Sequence, residues 1–120
     1  MKGSILAEKS LDFAIRVVNM YKFIQQEKKE FILIKQLLRR GTAIGALISE
    51  GFYAESKSEF IHKYCIAQKE CNETIYWLKL LFKTNYINDV EFESIIKDAE
   101  ELMKMITSSI LTARKSLITK

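Results

Sequence analysis

The chain has 120 residues, of which 48% are hydrophobic and 28% charged, and this ordinary globular composition excludes a disordered chain. No stretch comes near the run of about 18 uncharged apolar residues that a transmembrane helix needs. The first ten residues include a basic residue but no sustained apolar core, since charges return at Glu8 and Lys9, and this argues against a signal peptide. We therefore expect one soluble, cytoplasmic domain over residues 1–120.

The positive charge is concentrated in the first third of the chain. The formal net charge is +4, but residues 1–40 contain nine basic and four acidic residues, while the remainder is close to neutral. A local excess of this kind favours a polyanionic partner such as nucleic acid. A solvated, lysine-bearing face would explain the same excess without any partner.

Helix breakers are nearly absent, since the chain contains 4 Gly and no Pro, and this predicts an all-helical fold. The first predicted helix covers about residues 6–26, and its apolar residues recur with helical spacing at Ala14, Val17, Val18, Tyr21 and Ile24. The second covers about residues 31–53. Its apolar stripe comprises Ile34, Leu37, Leu38, Gly41, Ile44, Gly45, Ile48 and Phe52.

The third and fourth predicted helices begin at recognisable capping residues. Ser56 opens a capping box with Glu59, in which the serine hydroxyl accepts from the Glu59 N–H and the glutamate reaches back. Asn88 plays the same part for the fourth helix, whose first turns are acidic, as the helix dipole favours. The predicted core stripe of the third helix comprises Phe60, Tyr64, Ala67, Cys71, Ile75, Leu78 and Phe82. That of the fourth helix comprises Phe92, Ile95, Ile96, Ala99, Leu102, Met103, Ile106, Ile110, Ala113 and Leu117.

Short connections between four such helices predict antiparallel neighbours, and therefore an all-α, up-down-up-down four-helix bundle. The second and third helices carry more apolar surface than one bundle needs. A second strip lies to the side of each core stripe, where a helix of a monomeric bundle is polar. A wide core stripe covered by helix ends is the alternative. The predicted oligomer interface comprises Leu33, Arg40, Ala43, Leu47, Ile66, Glu70, Glu73, Trp77 and Leu80.

Three patterns resemble catalytic or metal-binding motifs, and each is incomplete. The segment EFIH, ending at His62, matches half of a di-iron site, but the chain has one His and cannot complete that site alone. His62 with Cys65 is too small a set for zinc or for nucleophilic catalysis. Glu70 and Glu73 share a face, and an ion pair with Arg39 or Arg40 at an interface explains them more simply. We expect these arginines to meet Glu70 or Glu73 of a neighbouring subunit, or a phosphate. We predict no catalytic residue, no metal and no cofactor.

The segment GTAIG, residues 41–45, has glycines four residues apart but is no phosphate loop, because no Lys-Ser/Thr follows and no strand precedes it. Both glycines lie on the core stripe and predict a close helix approach. Cys65 and Cys71 are six residues apart and point about 120° away from each other on a helix, which predicts free thiols.

The basic residues that could bind phosphates cluster around the predicted connection between the first two helices. No base-reading motif accompanies them, so binding would be directed at the phosphate backbone with little sequence preference. The candidate nucleic-acid-binding residues are Arg16, Lys22, Lys28, Lys29, Lys35, Arg39 and Arg40.

Three segments, residues 8–24, 36–51 and 60–81, resemble the bacterial four-helix bundle proteins encoded in intervening sequences of large-subunit ribosomal RNA genes, some of which are described as ribosomal-protein-like. The resemblance implies an antiparallel bundle that assembles as a homopentamer and has no enzymatic activity. It extends to the accessory variability determinant proteins of diversity-generating retroelements, basic pentamers that bind nucleic acid and a reverse transcriptase. Where many relatives carry Asn, this chain has Leu47, which makes the second strip more apolar.

Two functions follow as hypotheses. The first is a non-enzymatic homo-oligomer, pentameric by resemblance, that binds RNA or DNA through its basic surface. The second is an adaptor that docks a partner enzyme or a ribosomal component through its apolar surface, with no direct role in nucleic-acid binding.

Overall fold

The computed structural model describes residues 2–118, with side chains for residues 5–118. Four helices follow one another: α1 (Lys2–Glu27), α2 (Leu33–Phe52), α3 (Lys57–Lys83) and α4 (Asp89–Ile118). No strand occurs within residues 2–118. The prediction of an all-α chain of four helices is confirmed.

The helices form a closed ring about one hydrophobic core. Helix α1 packs on α2, α2 on α3, α3 on α4, and α4 back on α1, while the backbones of the diagonal pairs do not approach closely within residues 2–118. The resulting body measures 53 × 22 × 21 Å. This is the predicted antiparallel, up-down-up-down bundle.

Side chains from the preceding loops cap three of the four helices. Ser56 Oγ accepts from the Glu59 N–H at 3.1 Å, the first of the two bonds expected of the capping box. Asn88 Oδ1 accepts from the Glu91 N–H at 2.8 Å. At α2 the sequence predicted no cap, and the structure shows that Glu30 supplies one, because its carboxylate accepts from the N–H of Ile34 at 2.9 Å.

The predicted core stripes of α2, α3 and α4 match the buried faces of those helices except at their edges. Leu38 and Gly45 are half-buried, and Phe52 is 41% exposed. Leu117, at the end of α4, is also 41% exposed. Two residues that the prediction omitted, Thr74 and Leu81, are fully buried on α3.

The stripe predicted for α1 was rotated from its true position. Phe13 and Met20 are buried and were not predicted, whereas Ala14, Val18 and Tyr21 are only half-buried. The buried face of α1 comprises Leu6, Ser10, Phe13, Val17, Met20 and Ile24. Apolar residues occur on almost every side of this helix, so periodicity alone did not select the face that packs.

The two glycines of GTAIG lie where α2 meets α1. A Cβ at Gly41 would come within 2.9 Å of Val17 Cγ2. A Cβ at Gly45 would lie 3.3 Å from Ser10 Oγ and 3.5 Å from the Ser10 carbonyl oxygen. Both positions therefore bring α2 close to α1, as their spacing predicted, and the fit is tighter at Gly41.

Candidate nucleic-acid and subunit interfaces

The two apolar strips predicted as a subunit interface lie beside each other along the outer seam between α2 and α3. Ion pairs establish the register of this seam: Arg40 meets Glu70 near its centre, and Glu50 accepts from Lys63 Nζ at 2.8 Å nearer one end. All nine predicted interface residues are half-buried within the single chain. Leu33, Leu47 and Trp77 also pack partly against the core.

The seam is closed at its centre by a charged cluster of one Arg and two Glu. Arg40 Nη1 donates to both carboxylate oxygens of Glu70, at 3.1 and 3.2 Å, and Arg40 Nε lies 3.7 Å from Glu73 Oε1. The hydrogen bond that Arg40 donates to Glu70 raises the pKa of Arg40, and the charges of both carboxylates add to the effect. Arg40 Nε is enclosed and lacks a hydrogen-bond partner among the described residues.

These contacts differ from the sequence expectation for Arg40, Glu70 and Glu73. The arginine was expected to meet a carboxylate of a neighbouring subunit or a phosphate, and instead it pairs with both glutamates of its own chain. The sequence identified the helix faces that carry these charges. It did not show that the packing of α2 on α3 brings those two faces together within one chain. The pairing leaves Arg40 with little freedom to bind a phosphate.

Arg16 is likewise engaged within the chain. Its Nη1 donates to Asp98 Oδ2 at 2.8 Å across the seam between α1 and α4. Lys9 and Glu101 pair across the same seam at 3.0 Å, and the hydrogen bond that Lys9 donates to Glu101 raises the pKa of Lys9. Arg16 is therefore a weaker phosphate-binding candidate than sequence suggested, because a phosphate must compete with Asp98.

The other five predicted phosphate-binding residues are exposed, and none of their side chains forms a hydrogen bond or ion pair with the described part of the chain. They surround the loop between α1 and α2, on the outer side of that helix pair. We call this set the basic corner; it comprises Lys22, Lys28, Lys29, Lys35 and Arg39.

The register of α1 against α2 accounts for this clustering. Because Gly41 lies against Val17 and Gly45 against Ser10, Lys35 is level with Lys22 on the antiparallel neighbour. Lys28 and Lys29 lie in the loop, and Lys29 adopts a left-handed backbone conformation with φ 55°. Arg39 follows Lys35 one helical turn later on the same face.

The acidic residues nearest the basic corner neutralise little of its charge. Glu27 is exposed at the end of α1, and the Glu30 carboxylate is directed at the first N–H groups of α2. Exposed cations without protein partners keep the conformational freedom to reach phosphate oxygens. The cations of the corner are therefore not engaged within the described chain, whereas Arg16 and Arg40 are already paired.

The described part of the chain contains no cluster of metal ligands, and its buried thiol is unreactive. No three side chains of His, Cys, Asp or Glu within it are grouped so that they could hold a metal ion. Both cysteines are free, as predicted, and Cys71 is buried with its Sγ donating to the Ala99 carbonyl oxygen at 3.3 Å. Burial raises the pKa of Cys71 to about 12, which keeps that thiol protonated and unreactive.

A closed ring of four antiparallel helices with a basic corner and an ion-paired outer seam defines a compact helical-bundle protein. The chain belongs to the family of 23S rRNA-intervening sequence proteins, because the model of that family matches residues 2–108. The resemblance found in the sequence is therefore confirmed. The helices of residues 2–118 lack the length and apolar character that crossing a membrane requires.

A solved structure is similar over almost its whole length. It is the crystal structure of a protein of unknown function from the S23 ribosomal protein family of Bacteroides thetaiotaomicron. The two chains are 51% identical, and they superpose with a TM-score of 0.90 over 92% of this chain and 98% of that chain. No curated protein matches the chain.

Proposed function

We propose that this protein is a non-enzymatic homo-oligomer, pentameric as its family resemblance implies, that binds RNA through phosphate contacts at the basic corner. The observation that carries the proposal is that five exposed cations without protein partners surround one loop, with few acidic residues beside them. Membership of a family described by ribosomal RNA intervening sequences supports RNA over DNA.

Oligomerisation would multiply this charge. A pentamer of chains that each carry a net charge of +4 presents five basic corners on one particle, so weak contacts at each corner add through avidity. The half-buried α2–α3 seam, with Trp77 and Leu80 near one end, is the proposed contact between subunits. Sedimentation equilibrium tests this part, and a monomer at micromolar concentration would contradict it.

Filter binding to ribosomal RNA across a salt series tests the RNA proposal. We expect affinity to fall steeply with salt, because each phosphate contact adds about 0.7 to the slope of log affinity against log salt for single strands. The double variant Lys28→Gln/Lys29→Gln removes two cations of the corner and is expected to flatten that slope.

Lys97 and Lys104 provide the matched control. Both are exposed on α4 and have no ion-pair partner within the described chain, so Lys97→Gln/Lys104→Gln removes the same charge away from the corner. We expect this control to retain most of the wild-type affinity. RNA binding that is absent at low salt, or equally weakened in both double variants, would contradict a site at the corner.

A protein adaptor is the second candidate function, and one observation favours it. Leu11 and Ile15 are one turn apart on α1 and are 60% and 51% exposed, so they form an apolar patch on the outside of the bundle. Pull-down from a native lysate with and without nuclease separates the two functions. A partner that survives nuclease but is lost in Leu11→Gln/Ile15→Gln would favour the adaptor.

A further inference from the structure

A cavity of about 660 Å³ opens at the end of the bundle where α2 leads into α3, between the first turns of α3 and the last turns of α4. Its volume is in the range of small-molecule sites. Helices α2 and α3 contribute the aromatic side chains Phe52, Phe60 and Tyr64. Helix α4 contributes hydroxyl groups instead, from Ser108, Ser109, Thr112 and Ser116.

Tyr64 presents an unused hydroxyl to this cavity. The residue is only 3% exposed, and its hydroxyl forms no hydrogen bond with the described part of the chain. The hydroxyl is nevertheless not fully enclosed. Among the described residues, Arg40 Nε is the one enclosed polar side-chain atom that lacks a hydrogen-bond partner, so the unpartnered Tyr64 hydroxyl must keep some exposure. The remaining exposure of Tyr64 therefore includes its hydroxyl, which is available to a molecule in the cavity.

Three of the four cavity hydroxyls of α4 have no partner within the described chain, although threonines elsewhere in and beside the helices do. Thr42, Thr74 and Thr84 each donate to the carbonyl oxygen four residues earlier, at 2.7 Å. Within the described chain, the side-chain hydroxyls of Ser108, Ser109 and Thr112 form no hydrogen bond. Hydroxyls can donate and accept, so this wall can match either kind of polar group on a ligand.

One cation and one carboxylate stand at the rim of the cavity. Lys57 Nζ donates to Ser116 Oγ, which links the start of α3 to the end of α4 and leaves two N–H donors of the ammonium free. Glu55 precedes it in the α2–α3 loop and also lines the opening. The rim can thus receive a phosphate at Lys57 and an exocyclic amino group at Glu55.

We propose that this cavity binds a nucleotide, with the base against the more exposed rings of Phe52 and Phe60 and its polar edge at the hydroxyls of α4. Aromatic rings opposite hydrogen-bonding groups are what recognition of an extruded or unpaired base requires. A lipid tail offers no polar group to the hydroxyls of α4, and a free sugar would make little use of the rings of Phe52 and Phe60. The occupant is either a free nucleotide or an unpaired nucleotide of RNA.

The site is separate from the basic corner and goes beyond the proposed function. The cavity lies at the α2–α3 loop, whereas the corner surrounds the α1–α2 loop at the opposite end of the bundle. Nucleotide binding here therefore does not require Lys28 or Lys29, and the two proposals can fail independently.

Calorimetric titration with AMP and UMP, and with ribose 5-phosphate as a ligand without a base, tests the site. We expect saturable binding of at least one nucleotide and none of ribose 5-phosphate. Tyr64→Phe removes only the unpartnered hydroxyl, so it is expected to leave the melting temperature unchanged and weaken nucleotide binding about 3- to 10-fold. Thr112→Leu places an apolar side chain at an exposed cavity position and is expected to abolish binding.

Ser94→Leu is the matched control, since Ser94 is also an exposed hydroxyl residue of α4 but lies away from this cavity. It should bind nucleotides like the wild type, and so should Lys28→Gln/Lys29→Gln. Ultraviolet cross-linking distinguishes a free nucleotide from an unpaired nucleotide of RNA. It compares an RNA hairpin that has unpaired loop bases with a fully paired duplex. A cross-link mapped to Phe60 or Tyr64 only with the hairpin identifies an unpaired RNA base, and nucleotide binding without such a cross-link identifies a free nucleotide.

The proposal is overturned if neither nucleotide binds saturably and no cross-link reaches the cavity. It is equally overturned if ribose 5-phosphate binds as well as AMP, or if Thr112→Leu binds nucleotides as the wild type does. Loss of RNA binding in the Lys28→Gln/Lys29→Gln variant with nucleotide binding intact would support both this site and the separate corner.

Discussion

Arg40 and Glu70 form an ion pair between α2 and α3 of one chain, in which Arg40 Nη1 donates to both carboxylate oxygens of Glu70, at 3.1 and 3.2 Å. The pair is half-buried, with 31% of the arginine side chain and 16% of the glutamate side chain exposed. Because a slip of either helix would break both bonds, the pair selects one register for the α2–α3 seam.

A double-mutant cycle on Arg40→Ala and Glu70→Ala tests the coupling of the two residues. We expect each single variant to unfold at a lower urea concentration than the wild type, because each leaves a partly buried charge without its main partner. The double variant should lose less stability to urea than the sum of the losses in the two single variants. Additive changes in the urea midpoint would show that the pair contributes no coupling.

Gly41 is the position where α2 approaches α1 most tightly. We expect Gly41→Ala to lower the free energy of unfolding by about 1–3 kcal/mol, despite the better helix propensity of alanine, because the new methyl group overlaps the rigid, buried Val17. In a Val17→Ala background the same change should be nearly neutral.

Gly45→Ala is the comparison, since its Cβ would lie 3.3 Å from Ser10 Oγ, a tight contact but a smaller overlap than the one at Gly41. Chemical denaturation of the four variants provides the measurement. If Gly41→Ala lowers the free energy of unfolding equally in the Val17 and the Val17→Ala backgrounds, overlap with Val17 is not the cause.

Glu30 is expected to affect stability and RNA binding in opposite directions. Glu30→Ala removes the carboxylate that accepts from the first N–H groups of α2, and should lower the free energy of unfolding by about 1 kcal/mol. It also removes a negative charge beside the basic corner, so low-salt RNA affinity should rise. Glu27→Ala removes the same charge from an exposed residue and should raise affinity with a stability change within about 0.5 kcal/mol. Equal melting temperatures for the two variants would contradict the capping role.

Burial of Cys71 predicts a loss of stability in alkali. The pKa of this thiol rises from an ordinary value of 9.0 to about 12 in the folded chain. Below pH 9 the thiol is protonated in both states, but as pH rises through the window between the two values only the unfolded chain ionises. Stability should then fall by about 1.4 kcal/mol per pH unit from this residue.

Urea unfolding from about pH 8 to about pH 11 measures the effect. The Cys71→Ala variant should show a flatter dependence of stability on pH than the wild type, whatever its stability at neutral pH. Cys65→Ala retains the buried thiol and is the control. The same slope in the Cys71→Ala variant and in the wild type would contradict the prediction.

Capping and periodicity predicted most of the fold because their causes are local. Ser56 and Asn88 mark helix starts through bonds to residues three positions later, and those bonds are present. Helix α1 has no such marker at the described residues. It also offers apolar residues on several sides, including Leu11 and Ile15, which are exposed. Its packed face is decided by Gly41 of α2, which fits Val17 and is distant in sequence.

The candidate sites were predicted less completely, because a helix face does not identify what lies opposite it. Sequence placed Arg40 and Glu70 on outer faces but could not show that both faces belong to one seam. It found the cluster of basic residues, whereas the separation of paired Arg16 from unpaired Lys28 required the structure. The cavity was missed entirely, although the hydroxyl-rich TSSILT segment, residues 107–112, was an available signal.

The order of helices around the ring also bears on how the chain folds. Three of its four helix pairs join consecutive helices, so most contacts form between segments near each other in sequence. Proteins with such low contact order fold in microseconds to milliseconds. Only the α1–α4 pair needs a long loop to close, and ion pairs such as Arg16 with Asp98 bridge its seam. We therefore expect three helical hairpins to nucleate first and the α1–α4 seam to form last.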